Sequence, residues 1–477
     1  MKRKKILLQN VPVTGYAAEG KALAKVEGKV IFIEGAVPGD VVDVLLTRNK
    51  KDWAEGRVQQ IQSLSPERVV PFCIHFGICG GCKWQMLPYK KQLEYKEQEV
   101  REVIRRIGKL PDVPVLPILG SEKDIHYRNK LEFTFSNKKY LSKNELETLG
   151  KDEWPGGALG YHVPKLYDKI IDITECWLMD DVNNIIRNSL REFAEKNKYS
   201  YYDIKEHKGF LRNVIIRYCT TGELMVNLVF GNEDKKEIEK IANFLLAIVP
   251  AITTLVYTIN QKWNDSLHDL EPITFFGKGF VTEKLGEFNF KISPKSFFQT
   301  NTKQAEVLYN IVKDFASLKG NETVYDLYCG TGSIGIFLSK KAKKIIGVDV
   351  IEEAIMDAKE NAALNNISSA SFYAGDVIEI CNHEFFSHHG KADVVIVDPP
   401  RAGLHPKLIE KLLEIASGKI VYVSCNAATQ ARDLQLLSEQ YIVEKIQPVD
   451  MFPHTHHIES VALLTLKEIV PPLLIQG

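Results

Sequence analysis

The sequence predicts an α/β protein whose C-terminal part is a Rossmann-like, doubly wound sheet of parallel strands. Three observations support this fold class. Up to residue 63, short β-favouring runs alternate with turns that contain glycine or proline, as in a small OB-like β-barrel. Residues 64–290 mix helical and strand-like patterns, as in an α+β domain, and residues 291–477 alternate apolar runs with helical patterns. We therefore expect three domains, over residues 1–63, 64–290 and 291–477.

The composition is that of a globular protein with a large core. Hydrophobic residues make up 45% of the 477 residues and charged residues 26%, which excludes a largely disordered chain. Basic and acidic residues each number 61, so the net charge of +0 excludes a uniformly basic, histone-like protein. No apolar run reaches the roughly 18 residues of a membrane helix, and Ile6–Leu8 is too short for a signal peptide. We expect a cytoplasmic protein without a membrane partner.

The N-terminal region predicts a barrel surface that can contact RNA. Its strand-like runs are Val30–Ile33, Val41–Leu46 and Glu55–Gln62, and Val37–Asp40 is a turn between two of them. Lysine and arginine outnumber aspartate and glutamate in this region, which favours contact with an RNA backbone. A neutral barrel behind a solvated basic tail is the alternative.

A long helix rich in charges of both signs is predicted from Tyr89 to about Lys109. Several of its oppositely charged side chains are spaced i,i+4. We therefore interpret its charged face as exposed to solvent rather than as a binding surface. Strand-like runs follow at Lys130–Ser136 and Asn213–Tyr218.

A cysteine cluster opens the middle region and predicts a metal loop. Cys73, Cys79 and Cys82 lie within ten residues, with two glycines that let the chain wrap around a ligand. Cys176 is the best candidate for a fourth thiolate. Four thiolates suit either zinc or an iron–sulfur cluster. The cluster is favoured, because zinc modules more often use paired C-x2-C knuckles and the spacing here differs.

The C-terminal region predicts five strands of the doubly wound sheet, separated by helical patterns such as Glu352–Leu364 and Pro406–Ala416. The five apolar runs are Val324–Leu327, Lys344–Val348, Ala370–Tyr373, Ala392–Val397 and Ile420–Ser424. Ligands in such folds bind at the carboxyl ends of the strands. The residues that follow each run are therefore the candidate binding and catalytic residues.

The first of these ends is a glycine-rich turn. Residues Asp326–Gly335 contain the G-x-G-x-x-G pattern directly after a strand. The carboxylate of Asp326 would repel a pyrophosphate and suits a cationic ligand such as S-adenosylmethionine. Asp349 ends the next strand and has the position to bind ribose hydroxyls, and Asp376 has the position to contact the adenine edge. A purely structural turn is the alternative.

The fourth and fifth strand ends add an acid and a thiol. Asp398 begins the rigid segment Asp398–Gly403, in which Arg401 replaces the aromatic residue used for methylating exocyclic amines of bases. Cys425 follows the fifth strand and would project at the same edge as Asp398. A thiolate that adds to C6 of uracil makes C5 nucleophilic enough to accept a methyl group. The sequence therefore favours Cys425 as a nucleophile rather than as a buried core residue.

The reaction also needs a base that removes the C5 proton. Glu459 stands just before an apolar strand, where an unpaired carboxylate is costly unless it is exposed or functional. We interpret Glu459 as this base and keep His457 as the alternative. A metal site formed by His454, His456 and His457 is less favoured than a polar loop.

These motifs make the chain resemble the S-adenosylmethionine-dependent RNA (uracil-5)-methyltransferases, specifically the branch that acts on 23S ribosomal RNA and holds an iron–sulfur cluster. The resemblance covers nearly the whole chain. It implies a TRAM domain over residues 1–63, a class I methyltransferase domain over residues 291–477 and a middle domain between them. It also implies a [4Fe–4S] cluster bound by Cys73, Cys79, Cys82 and Cys176.

The resemblance also implies roles for single residues. Ser296–Asn301 is similar to the family's segment whose glutamine, here Gln299, contacts the cofactor. Tyr328, Asp349 and Asp398 would complete the S-adenosylmethionine contacts. By the same resemblance Cys425 is the nucleophile and Glu459 the base. Two departures are Asp349, where many relatives have glutamate, and a charged insert over Asn137–Gly157.

The implied activity is the formation of 5-methyluridine in 23S rRNA by a monomer that has no DNA partner. A tRNA (uracil-5)-methyltransferase is the first alternative, and the cysteine loop and barrel argue against it because that branch typically lacks both. A non-catalytic RNA-binding protein on the same scaffold is the second alternative. The presence of Cys425 and Glu459 argues against it.

Overall fold

The computed structural model describes residues 6–149 and 156–468. The basic residues at positions 2–5, and residues 150–155 of the predicted insert Asn137–Gly157, lie outside the described residues. Within the described ranges, no helix combines the length and the apolar character that a bilayer-spanning segment needs. The α-helices are α1 (Tyr89–Arg106), α2 (Lys143–Thr148), α3 (Val182–Lys196), α4 (Lys235–Ile248), α5 (Thr302–Ala316), α6 (Ser333–Leu338), α7 (Glu352–Leu364), α8 (Val377–Ile380), α9 (His383–His389), α10 (Pro406–Ile415) and α11 (Ala427–Leu437).

The N-terminal sheet has six strands in the order β1-β5-β6-β4-β3-β2. Its pairs are antiparallel except β4 with β6. Small aliphatic side chains such as Val11, Ala24, Ile33 and Val44 form its core, which lets the sheet curl tightly into a half-barrel. The strands are β1 (Leu7–Pro12), β2 (Gly15–Tyr16), β3 (Ala22–Val26), β4 (Lys29–Glu34), β5 (Val41–Asn49) and β6 (Trp53–Ser63).

A second, mixed sheet of seven strands in the order β13-β12-β11-β10-β7-β8-β9 follows. Apolar side chains of α3 and α4 share a core with it. A separate hairpin of β14 and β15 leads into α5. These strands are β7 (Lys130–Ser136), β8 (Ala158–Val163), β9 (Leu166–Asp172), β10 (Leu211–Tyr218), β11 (Leu224–Phe230), β12 (Thr254–Ile259), β13 (Ile273–Phe276), β14 (Val281–Leu285) and β15 (Phe288–Ile292).

The C-terminal sheet confirms the doubly wound prediction and adds two strands to it. Its order is β18-β17-β16-β19-β20-β22-β21, and the five predicted strands are parallel. The last two strands are antiparallel, because the connection 450–458 between them is too short for a crossover. The strands are β16 (Thr323–Leu327), β17 (Lys344–Asp349), β18 (Ala370–Ala374), β19 (Val394–Val397), β20 (Lys419–Ser424), β21 (Tyr441–Val449) and β22 (Glu459–Leu466).

Helix α1 packs on the C-terminal sheet rather than on the middle one. Its buried Val100 and Ile104 share a core with Val115 and with the strands and helices of the C-terminal sheet. The backbone continues along the edge of that sheet, where the N–H of Leu116 donates to the carbonyl of Ile446 at 2.8 Å. This arrangement places α1 beside the connection 450–458, which ends at Glu459.

Candidate active site

The glycine-rich turn after β16 is held by two carboxylates. One oxygen of Asp326 accepts the N–H of Gly335 at 2.9 Å, and Oδ2 of Asp349 accepts the N–H of Gly330 at 2.9 Å. Gly332 has a φ of +73°, and a Cβ there would lie 2.8 Å from the ring of Phe372. The turn therefore needs glycine at this position both for its backbone and for its packing.

The predicted cofactor residues surround this turn. Tyr328 has a positive φ of 64°, a conformation that costs energy outside glycine. Asp349 also accepts the N–H of Ile351 at 2.9 Å, so both of its oxygens have backbone donors. Asp376 is exposed and accepts the N–H of Ile378 as the N-cap of α8. The contacts of these residues with a ribose or an adenine stay predictions.

Gln299 lies on a segment that the middle sheet holds in place. The side chain of Asn129, just before β7, donates to the carbonyl of Gln299 at 2.9 Å and to Oγ1 of Thr302 at 2.8 Å. Asn301 caps α5 and donates to the carbonyl of Met451 at 3.0 Å. The segment that contains Gln299 is therefore fastened on one side to β7 and on the other to the connection that precedes Glu459.

Cys425 follows directly after the last residue of β20 and is half-buried. The next residue, Asn426, caps α11, and its side chain donates to the carbonyl of Arg401 at 3.1 Å. Burial and the carboxyl groups of Glu459 and Asp398 together raise the pKa of the Cys425 thiol to about 11, although Arg401 opposes them. The structure thus brings the thiol, both acids and Arg401 into one electrostatic neighbourhood.

Glu459, the first residue of β22, is 6% exposed. Burial raises the pKa of its carboxyl well above the usual range, Asp398 adds to this and Arg401 counteracts it. Burial also raises the pKa of Asp398 to about 7. A carboxyl with a raised pKa is a stronger base once it has lost its proton, so Glu459 suits the removal of a proton from carbon.

The histidines near Glu459 have separate partners. The side chain of His454 contacts Nε2 of Gln92 through Nδ1 at 3.1 Å, and its carbonyl accepts the N–H groups of Lys83 and Trp84. His457 Nδ1 lies 3.4 Å from an Nη atom of Arg401. Burial lowers the pKa of His457 to about 4, which keeps its imidazole neutral. These contacts support the interpretation of a polar loop over that of a metal site.

A buried ion pair fixes the same loop. Nζ of Lys96 on α1 lies 2.7 Å from Oδ1 of Asp450, and both side chains are 0% exposed. The same carboxylate oxygen accepts the N–H of Phe452, and Lys96 donates to the carbonyl of Phe452. The interpretation of the charged face of α1 as exposed to solvent is therefore wrong for Lys96, because this side chain points into the junction with the C-terminal sheet. It is right for pairs such as Arg101 with Glu97.

The four predicted cluster cysteines line a single cavity. It is enclosed by Cys73, Cys79, Cys82 and Cys176 together with Tyr161 and Leu178 and others. Gly81 donates its N–H to Sγ of Cys79 at 3.4 Å. Within the described residues, however, no three His, Cys, Asp or Glu side chains come together as ligands of a metal ion. The thiols share a cavity without the close grouping that one ion requires.

Comparison with known proteins identifies the class. A family model described as tRNA (uracil-5-)-methyltransferase matches residues 216–467, and a TRAM domain model matches residues 8–58. An uncharacterized RNA methyltransferase of Bacteroides thetaiotaomicron is 49% identical over 94% of this chain and 100% of its own length. One from Porphyromonas gingivalis is 46% identical over 95% and 98%. The crystal structure of Pyrococcus abyssi tRNA (uracil-54, C5)-methyltransferase with S-adenosyl-L-homocysteine is 31% identical with a TM-score of 0.73, over 96% of this chain and all of that one.

The fold and these similarities define an RNA methyltransferase that acts on C5 of uracil. The chain belongs to the tRNA (uracil-5-)-methyltransferase family and contains a TRAM domain. The family that the sequence resembles is thereby confirmed. Its 23S rRNA branch and the roles of the single residues stay predictions.

The Lys96–Asp450 pair generates a stability prediction. Lys96→Met should lower the free energy of unfolding by about 3–5 kcal/mol, because it leaves a buried carboxylate unpaired. The double variant Lys96→Met/Asp450→Leu should be more stable than either single variant. Urea denaturation measures these values. Lys91→Met, which breaks pairs of a partly exposed lysine, is the matched control; equal effects of Lys96→Met and Lys91→Met would contradict the burial argument.

The raised pKa of Asp398 predicts a stability change with pH. The folded protein holds this proton up to about pH 7, whereas the unfolded chain loses it near the ordinary pKa of 3.8. The contribution of Asp398 to stability is therefore present at low pH and is lost as the pH rises through 7. As the pH rises from 3.8 to about 7, the stability of Asp398→Asn relative to the wild type should increase. Thermal unfolding without ligand measures this difference. A difference between Asp398→Asn and the wild type that does not change with pH would argue against it.

Proposed function

We propose that this protein transfers a methyl group from S-adenosylmethionine to C5 of a uridine in 23S rRNA, through a covalent bond between Cys425 and C6. The observation that supports this most directly is the neighbourhood of the Cys425 thiol, the buried Glu459 carboxyl and the glycine-rich turn at one edge of the sheet. A nucleophile, a base and a donor site are the three parts that the reaction needs.

The residues around the turn fit a cationic methyl donor. Oδ1 of Asp326 is buried and lacks a hydrogen-bond partner, and burial raises the pKa of this carboxyl to about 7. Among the described residues, neither Asp326 nor Asp398 forms an ion pair with a lysine or arginine. S-adenosylmethionine supplies an electrophilic methyl group on a positively charged sulfonium. Asp398, Asp349, Tyr328 and Gln299 would hold it.

Cys425 and Glu459 would act in sequence on the uracil ring. The thiol of Cys425 first loses its proton to solvent. The thiolate adds to C6, and the electron pair of the C5–C6 double bond moves towards O4 and makes C5 nucleophilic. C5 then takes the methyl group as the bond from this carbon to the donor sulfur breaks, and the sulfur keeps the electron pair and would leave as a neutral thioether. The carboxylate of Glu459 removes the proton from C5, the double bond re-forms, and the bond between C6 and the sulfur of Cys425 breaks. The uridine must first be flipped out of its stack, since C5 and C6 are unreachable in a helix.

The RNA substrate has two candidates. We favour 23S rRNA, on the resemblance of the cysteine loop. The second candidate is tRNA, because the tRNA enzyme from Pyrococcus abyssi matches 96% of the chain. A match of that length covers nearly all of the barrel, so the presence of the barrel does not favour rRNA over tRNA. We also propose a cytoplasmic monomer that does not act on DNA, with domain boundaries near residues 63 and 290.

We further propose that the cysteine cavity holds a [4Fe–4S] cluster. In such a cluster each thiolate binds a different iron, so the sulfurs stand farther apart than around a single zinc ion. The four cysteines that line the cavity match the number of thiolates that such a cluster takes. We assign the cluster to the stability of the cysteine loop rather than to the reaction.

Covalent trapping tests the reaction. With S-adenosylmethionine and RNA that contains 5-fluorouridine, the wild type should form a denaturant-stable adduct, because fluorine blocks the final elimination, and Cys425→Ala should form none. Transcripts of 23S rRNA fragments and of tRNA are compared, and the RNA that is trapped identifies the substrate.

Glu459→Gln tests the base. This variant should accumulate the adduct with ordinary RNA, and turnover should fall by about 10²–10⁴-fold, because the C5 proton stays in place. Glu410→Gln, an exposed change on α10, is the control and should turn over normally. Wild-type turnover of Glu459→Gln would exclude it as the base.

Iron analysis tests the cluster. Protein purified without oxygen should show visible thiolate-to-iron absorption and contain about four iron atoms per chain. Cys176→Ser should lose most of this iron, whereas Cys219→Ser, a change at a buried cysteine outside the cavity, should keep it. Stoichiometric zinc without visible absorption would contradict the cluster.

A further inference from the structure

A cavity of about 430 Å³ lies between the middle sheet and the segment that contains Gln299. Its wall includes Ser296–Phe298 and Thr300 from that segment, and Gly81 from the cysteine loop. Arg128, Lys130 and Arg217 also line it, with Glu132 as the opposing charge. Three cations against one carboxylate make this cavity a site for an anion.

The three cations outnumber the carboxylates near them, which are Glu132 near Lys130 and Glu283 near Arg217. Among the described residues, none of Arg128, Lys130 and Arg217 forms an ion pair with an acidic side chain. Arg217 lies directly opposite Lys130 in the pairing of β10 with β7, so the two project from the same face of the sheet. Like charges in such a pair destabilise a sheet. Burial lowers the pKa of Lys130, and the charge of Arg217 lowers it further.

Arg217 lines the cavity and has a buried donor without a partner. It is 2% exposed; one Nη atom donates to the carbonyl of Ser296 at 3.3 Å, and the other, Nη1, is buried without a partner. A buried guanidinium with unpaired N–H groups is costly to the fold. Such an arrangement is expected where an acceptor arrives with a ligand, since a planar guanidinium matches the oxygens of a phosphate.

A short series of contacts connects the cavity with the reaction centre. The guanidinium of Arg128 lies 5.6 Å from the ring centre of Phe452, and that ring centre lies 6.3 Å from the ring of His457. His457 in turn contacts Arg401, whose charge acts on Cys425. The cavity is therefore connected through side-chain contacts to the residues around Cys425, and it also borders the segment that contains Gln299.

We propose that this cavity binds a backbone phosphate of the RNA next to the flipped uridine, with Arg217 and Lys130 as its ligands. Phe297, which is 69% exposed on the rim, would stack on a neighbouring base. The inference rests on the proposed function, because it names a contact of the same substrate. The carboxylate of the methyl donor is the other anion with matching chemistry.

The test measures binding of a fluorescein-labelled decauridylate at several salt concentrations, without a methyl donor. Each lost phosphate contact should reduce the slope of log affinity against log salt by about 0.7, which is about a fivefold loss of affinity near 0.1 M salt. Lys130→Gln and Arg217→Met should each show this loss. Lys235→Gln, which removes the same charge from the start of α4, should not.

Stability and donor binding separate the outcomes. Arg217→Met should keep the melting temperature of the wild type or raise it, because methionine does not leave a charge unpaired; if it fails to fold, Lys130→Gln decides alone. Wild-type slopes in the folded variants would overturn the proposal. A loss of S-adenosylmethionine affinity in place of RNA affinity would also overturn it and assign the cavity to the donor carboxylate.

Failure of the subsite and failure of the proposed function are distinguishable. Reduced salt slopes without covalent trapping would leave the phosphate site standing and remove the uracil-C5 reaction. Covalent trapping with unchanged slopes would leave the uracil-C5 reaction standing and remove the phosphate site.

Discussion

The structure buries charges that its own side chains do not neutralise, and this constraint organises the whole site. Asp326, Asp398 and Glu459 crowd one edge of the C-terminal sheet, and the raised pKa values of all three reflect burial before any other cause. Arg217 and Lys130 lie side by side on the middle sheet, and among the described residues neither forms an ion pair with a carboxylate. Each group is costly alone, and each suits a ligand of the opposite charge.

The protein does neutralise its charges where it needs a fixed backbone. Lys96 and Asp450 form a buried ion pair, and both also hydrogen-bond to the backbone of Phe452. Lys96 donates to its carbonyl, and Asp450 accepts its N–H. These contacts therefore fix the backbone of the loop that leads from Asp450 to Glu459. The carbonyl of His454 also accepts two N–H groups from the end of the cysteine loop. An intact cysteine loop and a correctly placed base are thus mechanically connected.

The sequence could predict the parts of the site that depend on strand ends. Parallel strands finish at one edge, so Asp326, Asp398 and Cys425 could be placed together from apolar runs and the residues after them. It could not predict the partner of Lys96, because Asp450 lies 354 residues away. Lys96 itself lies in a helix whose neighbouring charged side chains are exposed. The sequence could not predict the cavity around Arg217 either. In a strand pattern, a buried arginine cannot be told from one at an edge until the opposite strand is known.

The separation of the two charge groups has a consequence for turnover. In the proposed reaction the sulfonium loses its positive charge when the methyl group leaves, while the phosphates of the RNA keep theirs. The carboxyls at the sheet edge then face a neutral thioether, and with a pKa of about 7 for Asp326 and Asp398 they regain a proton readily near neutral pH. The proposed donor site then loses the charge complementarity with its ligand, whereas a phosphate in the proposed cationic cavity keeps its charge.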